Sequence, residues 1–344
     1  MKMRLLIICA CAILIISCEN PMTFRTKVNE DGSLDKTITF EKAEEKVATN
    51  NIYGISEKNG WATKVNSLES STEKAKDKKF RIELNKHFAS DQELNKELDN
   101  TNDSLFHVHS QFEKKFRWFY TYIRYSETIR PINRFKMVSP RDFFNQEDSL
   151  FIQRLPAEGK PISKADSLYL QILNEKINDR FATLAIFKET IILIEAIVRK
   201  NTSDKKWLDT LSKNWELVYK LIENDQKVEN LIPKVFDTLS IPVDRLKAAK
   251  DFDSLSKELT SRTHFMSFAR DGKYLNAFEM PWDIVSSNAD SLAGRNVYWK
   301  PLVNKFALSP YEMYAECRKM NWWAVAISAG IVFTTLILLW KKRT

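Results

Sequence analysis

From Trp322 to Trp340 no side chain carries a charge, and that stretch constrains the rest of the chain. A helix rising 1.5 Å per residue covers about 28 Å over such a run, enough to cross a hydrocarbon core of about 30 Å. Trp322 and Trp323 stand at one boundary and Trp340 at the other, where amphipathic indoles prefer to lie. Lys341, Lys342 and Arg343 follow at once, and the positive-inside rule assigns such a tail to the cytoplasm. The sequence therefore predicts a transmembrane helix over 321–340, a cytoplasmic tail over 341–344, and a body on the opposite side. A buried core helix is the competing reading. It requires the whole apolar circumference to be packed and leaves the basic cluster unexplained.

The other end agrees with this topology. Lys2 and Arg4 precede an apolar run from Leu5 to Ile16, too short to span a bilayer, and polar Glu19-Asn20 follows. This three-zone pattern is a secretory signal over 1–17. Ile15 is too large for an ordinary signal peptidase site before Cys18. Ile15-Ile16-Ser17-Cys18 instead resembles a bacterial lipobox, although Ile16 is larger than the residue usual there. That resemblance implies cleavage before Cys18 and acylation of its thiol. Each buried methylene is worth about 0.8 kcal/mol, so two or three acyl chains hold firmly where one does not. The expected address is the cytoplasmic membrane, with the body facing the periplasm or exterior.

Between the anchors the composition is that of a folded protein, 44% hydrophobic and 28% charged, with ample length for a core. The net charge of +8 is not a nucleic-acid signal, because Lys2 and Arg4 belong to the signal and three cations to the tail. Of the four cysteines, Cys9 and Cys11 fall in the signal and Cys18 is the lipid site. Cys317 alone remains, so the mature chain has neither a disulfide nor a cysteine metal cluster to stabilise it.

Along the body, Met22 to Glu41 reads as a hairpin turning at Asp31-Gly32. Glu41 to Ala48 has the charge of a short helix, and Trp61 to Val65 reads as a strand. Phe80, Ile82 and Leu84 alternate with polar residues in another strand, and Ser90 with Glu93 caps a helix ending near Leu98. Ser104 to Ile129 carries the strongest β signal, with Phe116-Arg-Trp-Phe-Tyr-Thr-Tyr-Ile-Arg-Tyr125 as a central strand. Lys114 and Lys115 are the expected turn or bulge within it, and Pro131 ends it.

From Pro140 to Ser261 the apolar residues recur at helical spacing. The longest helix spans 164–200, with others near 204–224, 226–239 and 244–261, punctuated by Pro233 and Pro242. Phe181 to Val198 is apolar enough to test as a membrane span, but it holds Lys188, Glu189 and Glu195. Each such charge costs about 2.5–3.5 kcal/mol at a helix centre, against roughly 0.3–0.6 gained per large apolar residue, so this is a core helix. Thr263–Arg270 and Lys273–Met280 read as a hairpin around Asp271-Gly272, Val297–Ala307 as a further strand, and Tyr311–Met320 as the lead into the membrane helix. The expected fold class is α+β. An antiparallel β-sheet domain over 18–138 and 262–320 is interrupted by a helical insertion over 139–261 and followed by one transmembrane helix.

The lipobox, the Asp31-Gly32-Ser33 hairpin and the late Met280-Pro281…Asn288-Ala289…Gly294-Arg295-Asn296-Val297-Tyr298-Trp299 segment resemble LppM-like envelope lipoproteins. The aromatic run 116–125 is also similar to Gram-negative envelope lipoproteins without an assigned activity. The resemblance implies a lipid anchor, an α+β domain and a C-terminal membrane helix. It brings no catalytic residues and does not cover the helical middle.

Candidate sites are few. His107 and His109 share a strand face, as metal ligands do, but a third ligand from His87 or His264 has no sequence support, and two histidines on a solvated face are commoner. Phe116, Trp118, Tyr120 and Tyr122 form a same-face stripe that reads first as core and second as a stacking platform. There is no G-x-S-x-G, H-E-x-x-H, Walker or dinucleotide motif. No catalytic residue, metal or cofactor is therefore expected, and the one assigned site is lipidation at Cys18. The expected function is a non-enzymatic envelope scaffold or interaction protein whose partners are the lipid bilayer and other envelope proteins, not nucleic acid. The alternative is a lipid- or glycan-binding protein with the aromatic strand lining a groove.

Overall fold

The computed structural model describes residues 20–43, 57–68, 79–99, 107–224 and 234–342. The signal, the lipobox with Cys18, most of the helix expected over 41–48 and the last two residues of the tail lie outside that range. The chain opens with β1 (Asn20–Val28) and β2 (Leu34–Ala43), then β3 (Ala62–Leu68), β4 (Lys79–Phe88), α1 (Asp91–Leu98), β5 (Val108–Phe116) and β6 (Tyr120–Ile129). Helices follow: α2 (Gln146–Arg154), α3 (Lys164–Glu175), α4 (Thr183–Asn201), α5 (Lys206–Lys213), α6 (Trp215–Asn224) and α7 (Arg245–Arg270). Then come β7 (Gly272–Glu279), β8 (Asp283–Ser287), β9 (Ser291–Ala293), β10 (Asn296–Trp299), α8 (Asn304–Ala307), β11 (Tyr311–Met320) and α9 (Trp322–Lys341).

The chain is α+β and divides into two compact units. One comprises Ile132–Pro156 and Lys160–Asp271; the other comprises Asn20–Pro131, Ala157–Gly159 and Gly272 onward.

The helical unit is built on one long helix. α3 and α4 are joined without a break by a π-helical segment, Lys176–Ala182. Within that segment Phe181 is buried among the edges of Phe135, Phe143 and Phe144. Ile194, Ile197 and Val198 of α4 pack with Leu211, Val218 and Phe252 in an apolar core. Glu189, on the segment tested as a membrane span, is buried and held. It accepts from Lys136 N at 2.6 Å and from Arg262 Nη2 at 2.7 Å.

α7 corrects one expectation. Thr263–Arg270 is not a strand but the last two turns of this helix, because Phe265 and Ala269, four apart, both bury and Arg262 is fixed on Glu189. Asp271-Gly272 is accordingly the exit from a helix, not a hairpin turn.

The other unit stacks two sheets. The larger has the order β3-β4-β2-β1-β7-β10-β9 and the smaller β5-β6-β11-β8. All neighbouring strands are antiparallel except β1 and β7, which run parallel in register from Asn20↔Gly272 to Lys27↔Glu279. Parallel neighbours need a long crossover, and here the whole of residues 29–271 intervenes. The first hairpin turns where expected: Gly32 has φ +94°, a Cβ there would meet the Phe112 ring at 3.1 Å, and Asp31 Oδ1 accepts from Ser33 N. Inward side chains alternate along the central strands, with Met22, Phe24 and Ile38 on one sheet and Ile123, Met313 and Cys317 on the other. α1 guards the exposed edge of the smaller sheet. Asn95 hydrogen-bonds both backbone groups of Ser110 at 2.7 Å, and Asp91 accepts from Phe112 N.

Two further expectations change in this unit. The strand expected over 297–307 stops at Trp299 and gives way to α8, and the turn expected at Lys114-Lys115 falls instead at Trp118-Phe119, inside the stretch 116–125 expected as one strand.

Candidate functional site

The β5–β6 turn lies at the end of the unit from which α9 departs. Arg117 N donates to Tyr120 O at 2.8 Å and Tyr120 N to Arg117 O at 3.1 Å, so the loop is the pair Trp118-Phe119. Among the described residues only Ser240 and glycines 32, 60, 159 and 294 have positive φ, so this is not a primed hairpin turn. An unprimed two-residue loop fits the strand twist poorly, and an outside group secures it. Asn321, the single residue between β11 and α9, is buried. Its Nδ2 donates to Arg117 O at 2.9 Å and Trp118 O at 3.2 Å, its backbone N donates to Phe119 O at 2.9 Å, and its Oδ1 accepts from Thr121 Oγ1 at 2.9 Å.

The side chains of this end are aromatic and exposed. Phe116, Trp118 and Phe119 are each about half exposed, as are Trp322 and Trp323 or more. Phe116 stacks on Trp323 with the planes 8° apart, Trp118 meets Trp323 edge-on at 5.5 Å, and the Trp118 indole donates to Ser328 Oγ at 2.9 Å. Two cations flank the tip on aromatic faces, Arg318 over Tyr120 at 4.6 Å and Arg117 over Tyr122 at 5.9 Å. The expected same-face stripe is thus corrected. Phe116 and Tyr120 belong to different strands, Trp118 is in the turn, and the tip faces outward rather than into the core.

A second feature is a polar network sealed between the sheets. Lys36 Nζ reaches both carboxylate oxygens of Glu127, at 2.6 and 2.7 Å, and donates to Thr26 Oγ1 at 2.8 Å. Thr26 and the Tyr125 hydroxyl donate to Glu127 Oε1 at 2.6 and 2.7 Å. Burial, reinforced by the adjacent Glu127 charge, pushes the Tyr125 phenol well above its usual range. The Tyr125 ring also meets Phe278 of the opposite sheet edge-on at 4.9 Å. Desolvating two charges offsets most of their attraction, so the pair adds little net stability while the loss of either partner leaves the other charge buried and uncompensated. Its signal was present in the sequence as parity. Lys36 shares its strand face with Leu34, Ile38 and Phe40, and Glu127 with Ile123, Tyr125 and Ile129.

The two histidines do not converge on a third ligand. His109 Nδ1 pairs with Asp99 Oδ2 at 3.0 Å, His107 Nδ1 lies 3.0 Å from Asp99 O, and Arg130 completes the Asp99 pair at 2.7 Å. His87 pairs with Asp35 at 2.7 Å and His264 falls on α7. Among the described residues no group of three His, Cys, Asp or Glu side chains could hold a metal ion. Cys317 is buried between the sheets, and burial pushes its thiol up to about 11.

α9 is 20 residues long, apolar and almost wholly exposed. Among the described residues it is the one helix long and apolar enough to cross a membrane.

No family model and no curated protein matches this chain. Among solved structures it is similar to the folded domain of LppM from Mycobacterium tuberculosis, determined by NMR. The two align over 88% of this chain and 91% of that one, at 8% identity and a TM-score of 0.28, a likeness too distant to transfer a fold or an activity.

Proposed function

We propose that this chain is a membrane-tethered envelope lipoprotein of scaffold or interaction type, not an enzyme, held in the cytoplasmic membrane with its body outside the cytoplasm. The observation that carries this reading is the junction at Asn321. β11 passes into a bare apolar helix through one buried, fully bonded residue, so the body is mounted on α9 rather than trailing from a linker. An exposed apolar helix of about 30 Å is the element that a bilayer satisfies. Its closing Lys341-Lys342-Arg343 supports a cytoplasmic C-terminus, and the three-zone signal with Ile15-Ile16-Ser17-Cys18 supports a lipid on Cys18 in the same membrane. The partners of such a body are the bilayer and neighbouring envelope proteins.

The test is fractionation of Cys18→Ala, a truncation after Asn321 and the two combined, with a fatty-acid probe reporting on Cys18. Each single change is expected to leave the protein with cytoplasmic-membrane markers and the combination to release it. Banding with outer-membrane markers, or equal acyl labelling of wild type and Cys18→Ala, overturns the reading.

A further inference from the structure

We propose that the β5–β6 turn is a second membrane-contact site, with Trp118 and Phe119 lying at the headgroup–acyl boundary of the bilayer that α9 crosses; this rests on α9 being a span.

Three observations meet at this place. The first is depth. Ser328, the partner of the Trp118 indole, lies six residues beyond Trp322, about 9 Å along the helix at 1.5 Å per residue. The Trp118 indole therefore lies along the flank of α9 beside its second turn, while the backbone of the β5–β6 turn stays level with Asn321, and in a bilayer whose boundary is at Trp322 that indole meets lipid. The second is surface chemistry. Phe116 and Trp118 are joined by ring contacts to Trp323, Phe119 and Trp322 are exposed beside them in the chain, and indoles favour the interface. Arg117 and Arg318 beside it supply positive charge at the level of lipid phosphates.

The third is backbone satisfaction, the condition that ordinarily keeps loops out of lipid. Every carbonyl of the turn, at Arg117, Trp118 and Phe119, accepts a hydrogen bond, and Asn321 donates to all three. The N–H groups of Trp118 and Phe119 have no acceptor among the described residues. Phosphate and glycerol oxygens satisfy such donors and acyl chains do not, which places the tip at the boundary and no deeper.

The occupant is thus the bilayer already required by α9. The surface of the tip is continuous with that of the helix, and a protein partner there would have to displace the same lipid.

The test places benzoylphenylalanine at Phe119, at Val332 in α9 or at Glu312, in the full chain reconstituted into vesicles of phosphatidylethanolamine and phosphatidylglycerol. Glu312 is exposed at the far end of β11, roughly 30 Å from Asn321 at about 3.3 Å per residue. After irradiation a lipid-mass adduct is expected at 119 and 332 and not at 312. An adduct at 332 without one at 119, or equal adducts at 119 and 312, overturns this inference alone. Absence of an adduct at 332 overturns the membrane reading beneath it.

Discussion

Lys36 and Glu127 meet at 2.6 Å from opposite sheets, with side chains 1% and 2% exposed. A charge pair so placed bridges the two sheets, and its removal is asymmetric. Glu127→Ala leaves a buried ammonium with only Thr26 beside it and is expected to cost about 3–5 kcal/mol. Lys36→Met with Glu127→Leu is expected to recover most of that loss. Denaturant unfolding of the purified chain in detergent measures both, and strictly additive single-variant losses would show that the pair is not coupled.

In the helical unit the equivalent change is Glu189→Ala. It removes the buried carboxylate from Arg262, which keeps Arg134 O and exposed Glu258, and frees Lys136 N, and a loss of about 3 kcal/mol is expected from breaking one partner of a buried pair. Hydrogen exchange should accelerate in α4 and α7 first. Uniform acceleration across both units would mean that Glu189 does not act locally.

Asn321 offers a chemical distinction. Asn321→Asp keeps the size and the acceptor but loses the donors to Arg117 O and Trp118 O, each worth about 0.5–1.5 kcal/mol net. Asp and Ala variants are both expected to raise exchange and proteolysis at residues 116–120. An Asp variant as protected as wild type would remove the side-chain bonds from the account of the turn.

Cys317 carries a pH dependence. Its buried thiol titrates at about 11 against an ordinary 9.0, so below 9 both folded and unfolded thiols stay protonated and stability is complete. As pH rises from 9 toward 11 the unfolded thiol ionises and the folded one does not, so stability falls across that window. Cys317→Ser or Cys317→Ala should remove the part of the fall that begins at pH 9, leaving the part above 10 to which the buried Tyr125 phenol also contributes. The Cys317 peptide should also resist maleimide at neutral pH until the protein is denatured.

What could be read from the sequence was local. The Asp31-Gly32 hairpin was legible because glycine supplies the required φ, and Ser90 caps α1 by accepting from Glu93 N while Glu93 reaches Ala89 N. The π segment left the 164–200 helix continuous, so periodicity found it. The β5–β6 turn was not legible: Trp118-Phe119 carries no turn chemistry, and the residue that closes it lies 203 positions from Trp118. Thr263–Arg270 misled because Asp271-Gly272 after it carries hairpin-turn chemistry, whereas Phe265 and Ala269 bury at helical spacing and Arg262 is held by Glu189, 73 positions away. In both cases a remote polar partner overrode local propensity.

β11 runs without a linker from the ladders of β6 and β8 into α9, and β6 pairs with it over all ten of its residues, from Tyr311↔Ile129 to Met320↔Tyr120. Hydrogen bonds in such a ladder lie across the strand. A pull on Asn321 along the axis of β11 therefore loads them in shear rather than unzipping them singly. With Asn321 bonded across to the β5–β6 turn, the junction of β11 and α9 is braced on two strands, and a force on α9 is shared by both.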